Sequence, residues 1–382
     1  MKAAILYNKF FDHEGKEQLI GGVETYLLNL AKICQEMDME TTIYQWSNHP
    51  FTKNLNGLSV KGIPVLHLPY KRRRYELFKS VSLDLNLEKD LLIFGADHIS
   101  VPTKNPRHIS IQHGVSWDLP VEYMASRNIT KYEWVAKLKK TRAINHYKKC
   151  FENCLNTVCV DYNFINWYRT TVTKEIEGHR IWAIPNFSKI ATGEKVKKRD
   201  YLNNSVRILF ARRFAKMRGT RLIAQVAKDI LASYSNIQFT FAGEGPDENW
   251  LRTQFNSDNR VQFMKYMPDE ALNIHLMHDI AVVPSVASEG TSLSVAEAMA
   301  TGCPVVATAT GGITNMIIHR YNGILVLPNA QAIREGIDCL IENPELRRRI
   351  GLRGYETASD AFSFDQWKNS WKSVLVEVGH GK

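Results

Sequence analysis

The sequence predicts an α/β protein made of two doubly wound, parallel-sheet domains in series, and three observations carry that expectation. The chain has 382 residues, more than one hydrophobic core normally serves. Short apolar runs alternate with helix-length amphipathic stretches, the pattern of strands joined by crossover helices. The alternation occurs twice, and the polar stretch SKIATGEKVKKRDYLNNS separates the two passes.

In the first pass KAAILY reads as a strand, VETYLLNLAKICQEM as a helix, and TTIYQW, LLIFGADH and HISIQHG as further strands. The strand RIWAIPN closes it near Ile184. The second pass begins at Val206 with VRILFA, then runs through TRLIAQVAKDILASY, IQFTFAG, PDENWLRTQF, RVQFM and DEALNIHLMHD. It continues with IAVVP, a buried helix from about Ser292 to Thr301, PVVAT and GILVLP. Gly302 and Pro304 stop that helix. The expected domains are 1–187, 188–362 and a C-terminal amphipathic helix over 363–382 that packs back on the first domain. Two such sheets facing each other leave a cleft, and ligands bind at the carboxyl ends of the strands.

The hydrophobic fraction of 44% and charged fraction of 23% are those of an ordinary globular protein. No run of about 18 apolar residues exists to span a bilayer, and MKAAILYNKFF turns polar too early for a signal peptide, so the expected location is the cytoplasm. Six cysteines lack zinc-ligand spacing and read as buried free thiols. The net charge of +10 is concentrated in residues 127–149 and in Lys71 to Arg74. Basic residues interleaved with Tyr132, Trp134 and Tyr147 suit an anionic membrane surface, or else a solvated helix face. No nucleic-acid-binding motif accompanies the charge.

Gly21 and Gly22 precede a helix, where backbone N–H groups can approach a phosphate or a sugar, although a glycine pair there is more often simple turn chemistry. Gly243, in AGEGP, opens another helix after a strand. RRFAKMRG places Arg212, Arg213, Lys216 and Arg218 at the carboxyl end of a strand, positioned to grip a diphosphate or to form a solvated loop. In SVASEGTSLSVAEAMATGCPVVATATGG, Glu289 and Glu297 have no Lys or Arg near them along the chain. A carboxylate in a buried helix needs donors, either an arginine from elsewhere or a ligand's hydroxyl pair. The free N–H groups near Thr291 to Leu293 open a helix with no acid in its first turn, which invites a phosphate. A ligand with hydroxyls on both sides of its phosphates satisfies both features, and a nucleotide sugar is one.

These residues resemble a known family. Glu289 and Glu297 eight positions apart, AMATGCPVVA, the following glycine pair and NGILV come in the order of the donor-binding signature of family 4 retaining glycosyltransferases of GT-B fold (glycosyl transferases group 1). The likeness covers about Val206 to Pro328; the first domain adds only GGVETYLLNLAK and His113. The resemblance implies that Glu297 binds ribose hydroxyls and Glu289 the donor sugar. Arg213 and Arg218 hold the diphosphate, assisted by the Ser292 and Leu293 N–H groups. Gly21, Gly22, Gly243, Gly290 and Thr291 line the donor site, and His113 touches the transferred sugar as an orienting donor, so that His113 and Glu289 are the catalytic candidates. Departures are Arg218 for a usual Lys, Arg212 and Ser292 for glycines, and Asn315 for an acidic residue.

The function so implied is transfer of a sugar, with retention, from a nucleoside-diphosphate sugar to a saccharide or lipid-linked saccharide acceptor, in cell-surface polysaccharide or lipopolysaccharide assembly. No Asp-x-Asp occurs, so neither metal nor cofactor is expected. The competing readings are a noncatalytic sugar-nucleotide-binding partner of another transferase and a GT-B nucleotide-sugar epimerase. Peripheral attachment to the inner face of the cytoplasmic membrane follows if the basic stretches bind anionic lipid.

Overall fold

The computed structural model describes the chain apart from residues 20, 116, 119–132, 173–175, 203–204, 257, 288 and 380–382. It divides into two compact units: Met1–His113 with Lys137–Ile184 and Lys368–Lys382, and Gly114–Ala136 with Pro185–Trp367.

The first unit contains β1 (Lys2–Tyr7), α1 (Gly22–Glu36), β2 (Glu40–Ser47), β3 (Phe51–Leu55), β4 (Leu58–Pro64), α2 (Tyr70–Ser82), β5 (Leu91–Phe94), β6 (His108–Gln112), β7 (Asn156–Cys159) and β8 (Arg180–Ala183). Two further helices, Glu133–Phe151 (α3) and Tyr162–Thr171 (α4), flank β7 in the chain. The sheet order is β3-β4-β2-β1-β5-β6-β7-β8. Every pairing is parallel except β3 with β4. That hairpin departs from the all-parallel expectation. Asn56 and Gly57 form its turn with φ of 53° and 86°, the left-handed pair that a two-residue connection between twisted strands requires. β1, β5 and β6 are buried on both faces, which is why they read as continuous apolar runs. The Asp161 carboxylate accepts the Phe164 N–H at 2.9 Å and starts α4.

The second unit contains α5 (Gly193–Lys197), β9 (Val206–Ala211), α6 (Thr220–Ser233), β10 (Ile237–Ala242), α7 (Glu248–Thr253), β11 (Val261–Met264), α8 (Ala271–Leu276), β12 (Ile280–Val283), α9 (Leu293–Ala300), β13 (Val305–Thr308), β14 (Ile324–Val326), α10 (Ala330–Glu342) and α11 (Pro344–Ala361). Its order, β11-β10-β9-β12-β13-β14, is wholly parallel and reverses direction between β9 and β12. One face packs the aromatic cluster Phe210, Phe214, Phe239, Phe241 and Phe255 against α6, α10 and α11. The other receives the small residues of α9. α9 ends in a Schellman turn: Gly302, with φ of 67°, donates to Met299 O at 2.9 Å, and Cys303 donates to Ala298 O at 2.9 Å.

The polar stretch between the two alternations is not a free tether. Ala191 N–H donates to Ala300 O at 3.0 Å, Tyr201 Oη to Gly302 O at 2.9 Å, and Arg199 to the carbonyls of His275, Leu276, His278 and Thr301. It straps the carboxyl ends of α8 and α9, where a cation offsets the helix dipoles. The last helix, α12 (Phe364–Gly379), divides at Lys368. In the first unit its buried Trp371 donates to Tyr26 Oη at 2.8 Å, and Lys368 pairs with Glu36. Cys34, Cys150, Cys154, Cys159 and Cys303 are buried thiols. Among the described residues no helix is long and apolar enough to cross a membrane.

Candidate functional site

In a doubly wound sheet the strand order reverses at one point, and the loops leaving the two strands there diverge to form a crevice. In the second unit these strands are β9 and β12. Arg212 follows β9 directly and is buried. One of its terminal nitrogens donates to both Glu289 oxygens, at 2.9 and 3.0 Å, and the other to Ser285 Oγ at 2.5 Å. Ser285 Oγ donates in turn to Glu289 Oε2 at 2.7 Å. Arg218 also donates to Glu289.

Backbone geometry explains how these residues meet. The turn Lys216–Arg218 ends at Gly219 in the left-handed region, φ 79°, where a Cβ would lie 1.8 Å from Pro284 O. Only glycine lets the loop after β9 press so close to the loop after β12. On the far side Gly311 has φ 52° and would put a Cβ 1.8 Å from Glu289 O, an oxygen that accepts the Gly312 N–H at 2.9 Å. Gly243 brings the end of β10 against Arg212 O in the same way.

The electrostatics follow from this packing. Burial alone would raise the Glu289 pKa; the Arg212 and Arg218 charges and the Ser285 hydrogen bond outweigh it and hold the carboxyl below the usual range. Arg212 is lowered by burial, opposed by Glu289, yet stays cationic. The arginine from elsewhere that was expected for the carboxylate of the buried helix, Glu297, instead meets Glu289 in the loop before it, and it comes from more than seventy residues upstream.

Glu297 differs. It is half-buried on α9, and among the described residues no donor hydrogen-bonds its carboxyl. Desolvation pushes its pKa up to about 8, with Arg212 opposing, so the group is mostly neutral at pH 7. The donors expected for a buried carboxylate are replaced by a proton. Tyr266 is near enough to Glu297 and Arg212 to feel both charges. Ser294 Oγ donates to Ala211 O at 3.0 Å and pins the start of α9 to the end of β9.

The other expected donor-site groups are placed unevenly. Arg213 is exposed, and its neighbour Arg212 is the residue on Glu289. The Ser292 N–H faces Met316 Sδ at 3.2 Å, a weak acceptor that a ligand oxygen can displace. Thr291 is fixed by Asn186, whose N–H meets Thr291 Oγ1 at 2.8 Å and whose amide meets Thr291 O at 2.5 Å. Gly290 and Leu293 are part-exposed beside it. Sequence reasoning missed Arg212 as the partner of Glu289, along with Ser285, Asn186 and Tyr266.

In the first unit Gly21 is the extended N-cap of α1 and Gly22 its first residue. A Cβ on Gly21 would lie 2.4 Å from Glu24 Oε2. Glu24 also hydrogen-bonds buried Tyr7, whose pKa is raised by burial and then by that carboxylate. A carboxylate against this helix end disfavours a phosphate there and suits a hydroxyl. His113 Nε2 lies 2.8 Å from Gly95 O, and its ring packs edge-on against Tyr26. A carbonyl only accepts, so Nε2 carries the proton and Nδ1 is a lone pair. Burial pushes the pKa down to about 4. The neutral His113 ring thus donates to Gly95 O and leaves Nδ1 as an acceptor.

The chain is similar to several known proteins. The family model "glycosyl transferases group 1" matches residues 193–357. The uncharacterized glycosyltransferase MJ1069 of Methanocaldococcus jannaschii is 29% identical over 394 residues, covering 94% of this chain and 95% of that one. MJ1607 of the same organism is 29% identical over 181 residues, 45% of this chain and 46% of its own. Among solved structures, sucrose-phosphate synthase from Thermosynechococcus elongatus superposes with a TM-score of 0.75 at 16% identity over 100% of both chains. HepE from Anabaena, solved with UDP and glucose, gives 0.70 at 16% identity over 98% of this chain and 99% of that one. At such identities the structures speak for the fold, which is the GT-B fold of two Rossmann-like domains. Residues 193–357 match the glycosyl transferases group 1 model, and over 94% of its length the chain is similar to a glycosyltransferase.

Proposed function

We propose that this chain transfers a sugar, with retention of anomeric configuration and without a metal, from a nucleoside-diphosphate sugar to a saccharide or lipid-linked saccharide acceptor in cell-surface polysaccharide or lipopolysaccharide assembly. The observation that carries the donor reading is the charge balance at the β9–β12 switch point. Two arginines face one ionised carboxylate, and the second carboxyl is neutral. The cluster keeps a net positive charge beside the N-terminus of α9, which suits a diphosphate.

Arg218 is the part-exposed member, with a side chain 31% accessible against 6% for Arg212. In this reading Arg218 turns from Glu289 to the diphosphate while Arg212 keeps Glu289 compensated. Glu289 accepts hydroxyls of the transferred sugar, and Glu297 exchanges hydrogen bonds with the ribose. As the bond from the anomeric carbon to the phosphate oxygen breaks, charge develops on that oxygen, and the preorganised Arg218 and helix N–H groups stabilise it. The acceptor oxygen bonds the same face of the anomeric carbon and gives its proton to the departing phosphate oxygen. His113, through Nδ1, accepts a hydrogen bond from a hydroxyl of the sugar.

The acceptor's membrane association is supported by the composition of α3, where Trp134 is 67% exposed and Lys139 and Arg142 face solvent. Residues 127–132 lie outside the described residues. Flotation with anionic vesicles at low salt tests that part.

The donor reading is tested by calorimetric titration of UDP, GDP and dTDP, with UDP first because HepE was solved with it. NMR of the product formed from the matching sugar nucleotide then reads the anomeric configuration. Absence of binding by every nucleotide, or an inverted product, overturns the proposal.

A further inference from the structure

The first unit has its own switch point, between β1 and β5, and the chain leaving β5 there runs Gly95-Ala96-Asp97-His98. Beside this loop, Arg74 of α2 reaches Cys150 Sγ of α3 with one terminal nitrogen at 3.4 Å. His146 Nε2 lies 3.6 Å from the same sulfur. The scaffold is firm: Ser100 Oγ is 2.6 Å from Asp97 O and 3.0 Å from Cys150 O, and Asn153 Nδ2 donates to Ser100 Oγ at 2.8 Å. These bonds tie the β5 loop, which carries His98, to the end of α3, which carries His146.

Arg74 has no carboxylate partner among the described residues; its remaining contact is Tyr75 Oη at 3.4 Å, with that ring beneath the guanidinium, and its buried Nε has no acceptor. A guanidinium that spends its donors on a thiol and a phenol is poorly satisfied. Its neighbours are also basic. Burial and then His146 and Arg74 push His98 down to about 4, and burial followed by Arg74 and Lys71 lowers His146. The one acid alongside, Asp97, directs its carboxyl to backbone N–H groups, and its buried Oδ2 accepts no hydrogen bond, so it does not pair with Arg74. Cation-forming groups gathered without a counter-charge disfavour one another, and a bound anion reverses that penalty. The sheet geometry is the second, independent observation, because a switch point is where such folds take their ligands.

We propose that Arg74, His98 and His146 form a binding site for a phosphate group carried by the acceptor. A phosphate offers three terminal oxygens to donors arriving from different elements, and Arg74 supplies a planar fork matched to two of them. Its charge holds the proton on each imidazole, turning both rings into donors. The acceptor assignment rests on the transferase reading above; the phosphate site itself does not.

The test uses the full chain saturated with UDP, so that added phosphate does not enter the donor site, and calorimetry of that UDP binding checks the donor reading separately. Inorganic phosphate and glycerol 3-phosphate are titrated while the imidazole C–H signals of His98 and His146 are followed by NMR. Both signals are expected to shift, and Arg74→Met to weaken phosphate binding roughly ten- to a hundred-fold while UDP affinity is unchanged. Arg74→Lys, which keeps the charge but loses the fork, falls between. Histidine signals that stay in place in the unmodified chain up to about 10 mM phosphate overturn the site whatever the variants do. So does undiminished binding in Arg74→Met. Glycerol 3-phosphate binding at least as tightly as inorganic phosphate supports an esterified acceptor, and binding of inorganic phosphate alone overturns the acceptor assignment.

Discussion

At the switch point of the second sheet two arginines and a serine converge on one carboxylate. At that of the first, an arginine and a histidine converge on a thiol, with a second histidine beside them. Both orders reverse at one point, running outward through β9, β10 and β11 in the second unit and through β1, β2, β4 and β3 in the first, with the later strands on the other side. The difference lies in compensation. Glu289 is buried and held ionised, so its charges are balanced before any ligand arrives. His98 is held neutral, and Arg74 has weak acceptors. A shared topology thus presents one crevice whose charges are already paired and another whose pairing waits on a ligand.

The comparison breaks most severely at Arg212. Arg212→Met should cost about 3–5 kcal/mol in denaturant unfolding, because Glu289 loses its main partner inside the protein. Arg212→Met combined with Glu289→Gln should recover much of that loss while transfer stays abolished. If the double variant is no more stable than the single one, the pair is not compensated as described.

Gly219→Ala comes next, at about 2–4 kcal/mol, since its φ of 79° and the contact with Pro284 O leave no room for a methyl. The same displacement should move Arg218, so the donor KM should rise more than kcat falls. A variant with ordinary stability and KM would show that the loop relaxes freely.

Glu297 sharpens the comparison through pH. Its folded pKa of about 8 lies above the ordinary carboxyl value of 4.5, so the folded chain binds the extra proton between these limits. Stability therefore falls as pH rises across that window. Glu297→Gln removes the effect, and its advantage over the unmodified chain should grow from pH 5 to pH 8 and then level off, on the order of 2 kcal/mol once partial exposure is allowed for. Parallel stability curves from pH 5 to 9 would contradict it. The smallest effect is expected for Arg218→Lys: about a ten-fold loss of nucleoside-diphosphate affinity by calorimetry, with little change in melting temperature.

The second unit was largely legible because its signature residues come in chain order and because α9 is apolar on nearly every side. The identity of the partner on Glu289 was not. Arg212 and Arg213 are adjacent cations after an apolar strand, and the choice of which one turns inward is made by Ser285 and Glu289, more than seventy residues away. The β3–β4 hairpin carries a local signal, Asn56-Gly57 between short alternating runs, which the stronger alternation of strand and helix around it masks. The strap at 191–201 looked like a linker because its buried residues, Ala191, Val196 and Tyr201, are spaced among lysines. His113 was found by position, but its tautomer depends on the Gly95 carbonyl, which no residue pattern announces.

That strap also bears on how far the second unit can be trimmed. Cutting the chain at Val206, where the second run of strands begins, would remove Arg199, Tyr201 and the Ala191 N–H together, and would uncap the carboxyl ends of both α8 and α9. Arg347, buried in α11, would lose its bond to Tyr201 O at the same stroke. The smallest fragment able to hold Glu297 in register therefore starts no later than Pro185, where Asn186 also secures Thr291, and the boundary of the folding unit lies some twenty residues ahead of its first strand.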